Sequence, residues 1–232
     1  MNTIVAQNWD WLLVVLVLIL IRFWRPALPT GQRGELRVNA GLSRLLDQKV
    51  FRLITNVTLP VGNDTTQIDH LIVSPYGIFV IETKNFSGWI FGHPNDAQWT
   101  QVLYRSKERF QNPLHQNDRH VRVLTELLSL PSAHVYNVVA FVGACTFKTP
   151  MPVNVVRGVR ELAAFIQENR APMFTENEVS CFIDVIQANR LDPGAETDRI
   201  HLQNVRRKIF GRTSLAHTVR YTRRPPSGWR SG

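Results

Sequence analysis

Cysteine is scarce in this chain, with only Cys145 and Cys181 in 232 residues. Two thiols cannot make a disulfide framework, and without a CxxC pair or a Cys/His cluster a structural zinc module is excluded. No GxxxxGK[ST] loop occurs, so there is no case for an NTPase, and no segment repeats. Acidic residues are missing from the last 34 positions, where nine of the 27 Lys and Arg lie. The other basic residues balance the 18 acids, so the formal net charge of +9 belongs wholly to the C-terminal end. The chain reads as a neutral body with a cationic tail, not as a basic protein throughout. Apolar residues make up 44% of it, which supports a real core and excludes a fully disordered chain.

No Lys or Arg precedes Arg22, and Asp10 is the one charged side chain before it. That lack of a positive n-region argues against a secretory signal peptide. What stands there instead is the unbroken apolar run WLLVVLVLILI, residues 11–21. Extended over residues 4–24, it would cover roughly the 30 Å hydrocarbon core at 1.5 Å rise per residue. Trp9 and Trp11 at one end and Trp24 at the other suit interfacial belts. A buried core helix fits less well, because apolar residues cover every helical face. The expectation is a single transmembrane anchor at 4–24. Arg22, Arg25, Arg33 and Arg37 follow it, so positive-inside places the soluble body in the cytoplasm, at the inner membrane of the cell. Reduced cysteines suit that compartment.

Residues 25–33 form a linker with Pro26, Pro29 and Gly31. The helical spacing of Leu36, Val38, Leu42 and Leu45 predicts a helix from Gly34 to Leu46. Strands are expected at 50–59, 67–73, 78–84, 88–91 and 99–104, with the turn Ser74-Pro75-Tyr76-Gly77 closing a hairpin. Asn112-Pro113 opens a helix reaching about Leu130. Strands follow at 135–142 and 153–156, then helices near 159–169 and 176–190 and a basic helix at about 197–210. Mixed strands and helices over 31–210 predict one α/β domain, its core at 34–145, a helical extension at 146–210 and a flexible basic tail at 211–232.

The hairpin carries the chemistry. With Val73 and Ile78 as the first pair, Asp69 falls opposite Glu82 and Gln67 opposite Lys84. Apposed carboxylates repel. A hard divalent cation such as Mg²⁺ supplies a reason for them, since it takes carboxylate oxygens and retains waters for chemistry. Period 2 puts Lys84 on the face of Glu82, beside such an ion.

Asp69 followed by Glu82-Thr83-Lys84 resembles the signature of the restriction-endonuclease-like PD-(D/E)xK fold. The wider set is more similar still to the NERD (nuclease-related) domain family. It comprises Gly34-Glu35, Gln67-Ile68-Asp69-His70, Gly77–Lys84, Gly88-Trp89 and Asn112-Pro113 with Gln116. The likeness covers roughly residues 31–145 and implies a mixed sheet flanked by helices. It further implies a metal-dependent nuclease in which Asp69 and Glu82 hold Mg²⁺ (or Mn²⁺), Lys84 acts on the attacking water and Glu35 completes the acidic shell. Helicase, kinase or zinc modules commonly accompany such domains; the anchor stands in their place.

Each residue has a plainer reading. Glu35 could be a first-turn acid favoured by the helix dipole. Asp69 and Glu82 could form a metal-free site partly neutralised by Lys84, although a buried pair is a weak stability device. Gln67 reads as a support residue, and Asn112, Pro113 and Gln116 as helix-capping and packing residues. His115 and His120, five apart, do not share a helix face. Trp89 and Trp99 read as core, as does Cys145. In the tail, Arg206-Arg207-Lys208 and Arg223-Arg224 could be merely solvated, grip anionic lipid or hold nucleic-acid phosphates. The expected function is a membrane-anchored cytosolic nuclease hydrolysing DNA phosphodiesters. The alternative is a non-cleaving module that brings nucleic acid or a protein to the membrane.

Overall fold

The computed structural model describes residues 13–15, 29–62, 64–194, 197, 199 and 203. The expected span at 4–24 falls outside them except for Leu13, Val14 and Val15, which are helical and exposed. No helix among the described residues is long and apolar enough to cross a membrane. Arg206, Arg207, Lys208, Arg223 and Arg224 also lie outside the described residues.

Helix α1 spans Thr30–Leu45. It starts four residues before the expected Gly34, directly after Pro29, and so takes up the end of the expected linker. Its buried stripe, Gly34, Val38 and Leu42, recurs every four residues. Gly34 is the close-approach point, where a Cβ would come within 2.7 Å of the Asn85 side chain. Strands β1 (Arg52–Val61), β2 (Asp64–Ser74) and β3 (Gly77–Lys84) follow as an antiparallel meander. The β2–β3 register pairs Val73 with Ile78 and runs to His70 with Ile81, as the hairpin predicts.

Strand β7 (Val135–Phe141) runs parallel to β3, and β9 (Val155–Arg157) parallel to β7. The five-stranded order is therefore β1-β2-β3-β7-β9. A parallel neighbour requires a long crossover, and residues 85–134 supply it. They hold β4 (Gly88–Phe91), β5 (Gln98–Leu103), β6 (Ser106–Gln111) and helix α2 (Pro113–Leu128). Helices α3 (Gly158–Glu168) and α4 (Glu176–Asn189) close the described fold.

Helices cover both faces of the five-stranded sheet. On one face Val38 and Leu42 of α1 and Leu162 and Ile166 of α3 pack against Phe79, Ile81 and Val138. On the other, Val121 and Leu124 of α2 and Val179 and Ile186 of α4 pack against Leu71, Ile78 and Val80. Coverage on both sides explains why Ile78–Ile81 is a continuous apolar run with no exposed surface.

The second sheet, β6-β5-β4-β8, is completed by β8 (Cys145–Phe147). Ile90, Trp99, Phe110 and Phe147 form its inner face against Phe141, whose ring lies parallel to that of Trp99 at 6.1 Å. Cys145 is buried there, as expected of a packing residue, while Cys181 is exposed. Neither β6 nor β8 is anticipated by the sequence. SKERFQ has Phe110 as its sole apolar residue, and β8 is three residues long. Gly88 sits at φ +83°, with the Val102 carbonyl where a Cβ would be, so only glycine lets β4 approach β5 so closely.

Candidate active site

The β2–β3 ladder stops at His70 and Ile81, one step short of Asp69 and Glu82. The β1–β2 ladder also passes over Asp69: Thr55 pairs with His70 and Val57 with Ile68, while Asn56, opposite Asp69, sits at φ +52°. Strand β3 meanwhile stays bonded to β7 as far as Lys84 with Phe141. The hairpin therefore splays at its open end. The Asp69 carboxylate fills the gap by accepting a 2.8 Å bond from the Thr83 amide through Oδ2.

Glu82 and Lys84 project together, as period 2 requires, and the Lys84 ammonium lies 2.6 Å from Glu82 Oε1. Gln116 of α2 joins them: its Nε2 donates to Glu82 Oε1 at 2.8 Å, and its Oε1 accepts from Lys84 at 3.1 Å. His120, one turn further along α2, places Nε2 3.6 Å from Glu82 Oε2. Its Nδ1 shares a 2.7 Å hydrogen bond with the Thr66 hydroxyl. Glu82 Oε2 and His120 Nε2 are both buried without a hydrogen-bond partner. Helix α2 is pinned at this place by Asn117, whose side-chain amide donates to the Val80 carbonyl at 2.8 Å.

Two carboxyl groups with opposite behaviour result. Burial drives the Glu82 carboxyl upward, but the Lys84 ammonium and His120 outweigh it, so Glu82 lies below the usual carboxylate range and is ionised. Asp69 goes the other way. Burial, and then the negative charge of Glu82, hold it well above the usual range against the pull of the Thr83 amide and Lys84. Glu35 adds to that upward push, so it stands within electrostatic reach of Asp69. It is the sixth residue of α1 and not in its first turn, which removes the helix-dipole reading of this acid.

His70 ties α1 to the site. It has no exposed surface; Nε2 lies 3.3 Å from the Glu35 carbonyl and Nδ1 3.2 Å from the Thr83 hydroxyl. Burial lowers its pKa to about 4, so the ring is neutral.

Several expectations are corrected here. Gln116 is not merely a packing residue, because both ends of its amide engage the Glu82–Lys84 pair. Asn112 does cap α2, accepting from the Leu114 amide. His120, set aside in the sequence for its spacing from His115, joins the site, and its spacing of four from Gln116 puts both on one helix face. His115 faces solvent. Gln67 donates to Asn56 Oδ1 instead of facing Lys84, which fits a supporting role beside Asn56. Trp99 is core, but Trp89 is 51% exposed.

Residues 30–142 match the nuclease-related domain family. An uncharacterised protein of Bacillus anthracis is 35% identical over 178 residues, which are 73% of this chain and 82% of the relative. The chain belongs to the nuclease-related domain family. No solved structure matches it. The matched stretch runs from the start of α1 to the residue after β7, and so takes in Glu35, Asp69, Glu82, Lys84, Gln116 and His120.

Proposed function

We propose that this nuclease-related chain is a metal-dependent nuclease hydrolysing DNA phosphodiesters, with Asp69, Glu82 and Lys84 as its catalytic residues and Glu35 in the acidic surround. The observation that carries the reading is the splayed hairpin. It removes Asp69 from both ladders and sets it beside an ionised Glu82 whose Oε2 has no hydrogen-bond partner. A divalent cation fits this donor set. Mg²⁺ binds through one or two carboxylates together with waters and substrate phosphates, and does not need an all-protein cage. Asp69 and Glu82 would hold it. When bound, such an ion supplies charge relief at the phosphoryl oxygens and an acidified water.

The protein's own residues contribute the rest. Lys84 holds its ammonium on Glu82 Oε1 and is the more exposed of the two, so it can orient a water and neutralise charge on the phosphate. Gln116 holds the ammonium and the carboxylate in fixed relation, so neither must reorganise as substrate arrives. The Thr83 amide fixes the Asp69 carboxylate on the strand. The test is incubation of the full chain with single- and double-stranded DNA and Mg²⁺ or Mn²⁺. Cutting that Glu82→Ala and Lys84→Ala abolish supports the assignment. The enzyme reading fails if the wild type does not cut or if the variants cut equally.

A non-cleaving module is the second reading, favoured by two observations. Lys84 already neutralises Glu82, and among the described residues no group of three His, Cys, Asp or Glu side chains is placed to hold a metal ion. Calorimetric titration with Mn²⁺ separates the two, since an intact catalytic site binds metal and Asp69→Ala does not. The proposal includes a membrane anchor at residues 4–24 with the body in the cytoplasm, supported by the apolar run and the arginines that follow it. Release of the full chain from membranes by carbonate would remove the anchor. Arg206, Arg207, Lys208, Arg223 and Arg224 would hold DNA phosphates or anionic lipid. Truncation after Asp198 costs DNA affinity in the first case and membrane contact in the second.

A further inference from the structure

The second sheet turns a face to solvent that its packing does not explain. Cross-strand partners share a face, and here they form two rows. Thr146, Trp89, Val102 and Lys107 make one; Phe91, Thr100 and Arg109 make the other. Trp89 keeps 51% of its surface open. Lys148 reaches over one side of its indole, with Nζ 4.6 Å from the ring centre. Lys107 and Arg109 are exposed on β6, which β5 separates from the strand of Trp89. None of the residues in these two rows is acidic, and Glu108, between the two cations on β6, points to the opposite face, where the Ser106 hydroxyl donates to it. At the hairpin tip Tyr104 is 96% exposed and held at φ +53°, a conformation bulky residues rarely adopt.

We infer that this face is a binding platform for single-stranded nucleic acid: Trp89 stacks an unpaired base, and Lys107, Arg109 and Lys148 take the flanking phosphates. The inference deepens the nuclease reading and rests on it. Two properties select this occupant. An open indole edged by cations matches the combination of stacking surface and positive charge that binds single strands, whereas duplex bases are already stacked and offer a platform little. Charge of one sign matches a polyanion. Trp89 is also five residues beyond Lys84, hence within about 18 Å of it along the chain, so a strand lying on the platform can lead into the catalytic hairpin.

The test is fluorescence anisotropy of the full chain with labelled dT20, rU20 and a 20-base-pair duplex. EDTA is present, so that binding is read without cutting. Trp89→Ala is expected to weaken dT20 or rU20 binding about tenfold, Trp89→Phe to retain it within about threefold, and duplex binding to change little. Replacing Lys107 and Arg109 by Gln should lower the slope of log affinity against log salt by about 0.7 per lost phosphate contact. The DNA and RNA arms tell which strand is held. Equal affinity of Trp89→Ala and wild type for both single strands overturns the inference, as does an equal loss on the duplex or no single-strand binding by the wild type. If Trp89→Ala binds normally while the wild type still cuts, only the platform is lost. If the Trp89 effect appears and no metal supports cutting, only the catalytic reading is lost.

Discussion

Acid should weaken this fold through His70, and by a calculable amount. The folded ring titrates near 4 and is wholly buried between the Glu35 carbonyl and the Thr83 hydroxyl, whereas an unfolded His titrates near 6.5. A depressed folded pKa favours the neutral ring. Its stabilisation is therefore complete above about pH 6.5 and is lost as pH falls toward 4, because the unfolded chain takes up the proton first. Linkage puts the loss at about 2 kcal/mol at pH 5 and about 3 kcal/mol at pH 4. Urea unfolding of wild type and His70→Gln from pH 7.5 to 4 isolates it. Asp69 and Glu82 titrate in both chains, so their contributions largely cancel in the difference. The gap between the two stabilities should shrink by about 2 kcal/mol between pH 7.5 and 5. Parallel curves would refute the reasoning and mean that the ring is solvated, and a gap that widens toward pH 5 would mean that the fold holds it charged.

Three more predictions follow from the geometry. Asp69 lies above the ordinary carboxylate range, so its contribution is favourable at low pH and is lost as pH rises through its folded value. Asp69→Asn should therefore raise the thermal midpoint at pH 7.5 in EDTA while abolishing any rise on adding Mn²⁺; a drop in EDTA would contradict the charge argument. Gln116→Ala removes one bond to a carboxylate and one to an ammonium and should cost about 2 kcal/mol in denaturant unfolding, against less than about 0.5 kcal/mol for exposed His115→Ala. Trp99→Ala, which empties the space beside Phe141, should cost about 3–5 kcal/mol, and a smaller loss would show that the second sheet contributes little to the cooperative fold.

Local periodicity and turn chemistry determined much by themselves. The four-residue turn Ser74-Pro75-Tyr76-Gly77 fixes the hairpin register by its length, and side chains then alternate between the two covered faces of the sheet. The same alternation sets Glu82 and Lys84 on one side, and Asn112-Pro113 begins α2 by capping chemistry that needs no partner. Tertiary structure decided what those residues meet. The gap in the ladder at Asp69 faces Asn56, whose positive φ goes with the Arg190 guanidinium that bonds its carbonyl at 2.8 Å from beyond α4; no local pattern in β2 or β3 encodes that. Gln116 and His120 lie more than thirty residues from Glu82 in the chain and reach it only because Asn117 docks α2 on β3. The side of the second sheet that faces solvent was decided by which aromatics pack against Phe141, and that separated Trp99 from Trp89. Backbone conformation follows from neighbours in the chain, but charge state, burial and partnership follow from neighbours in space, and the proposed chemistry rests on the latter.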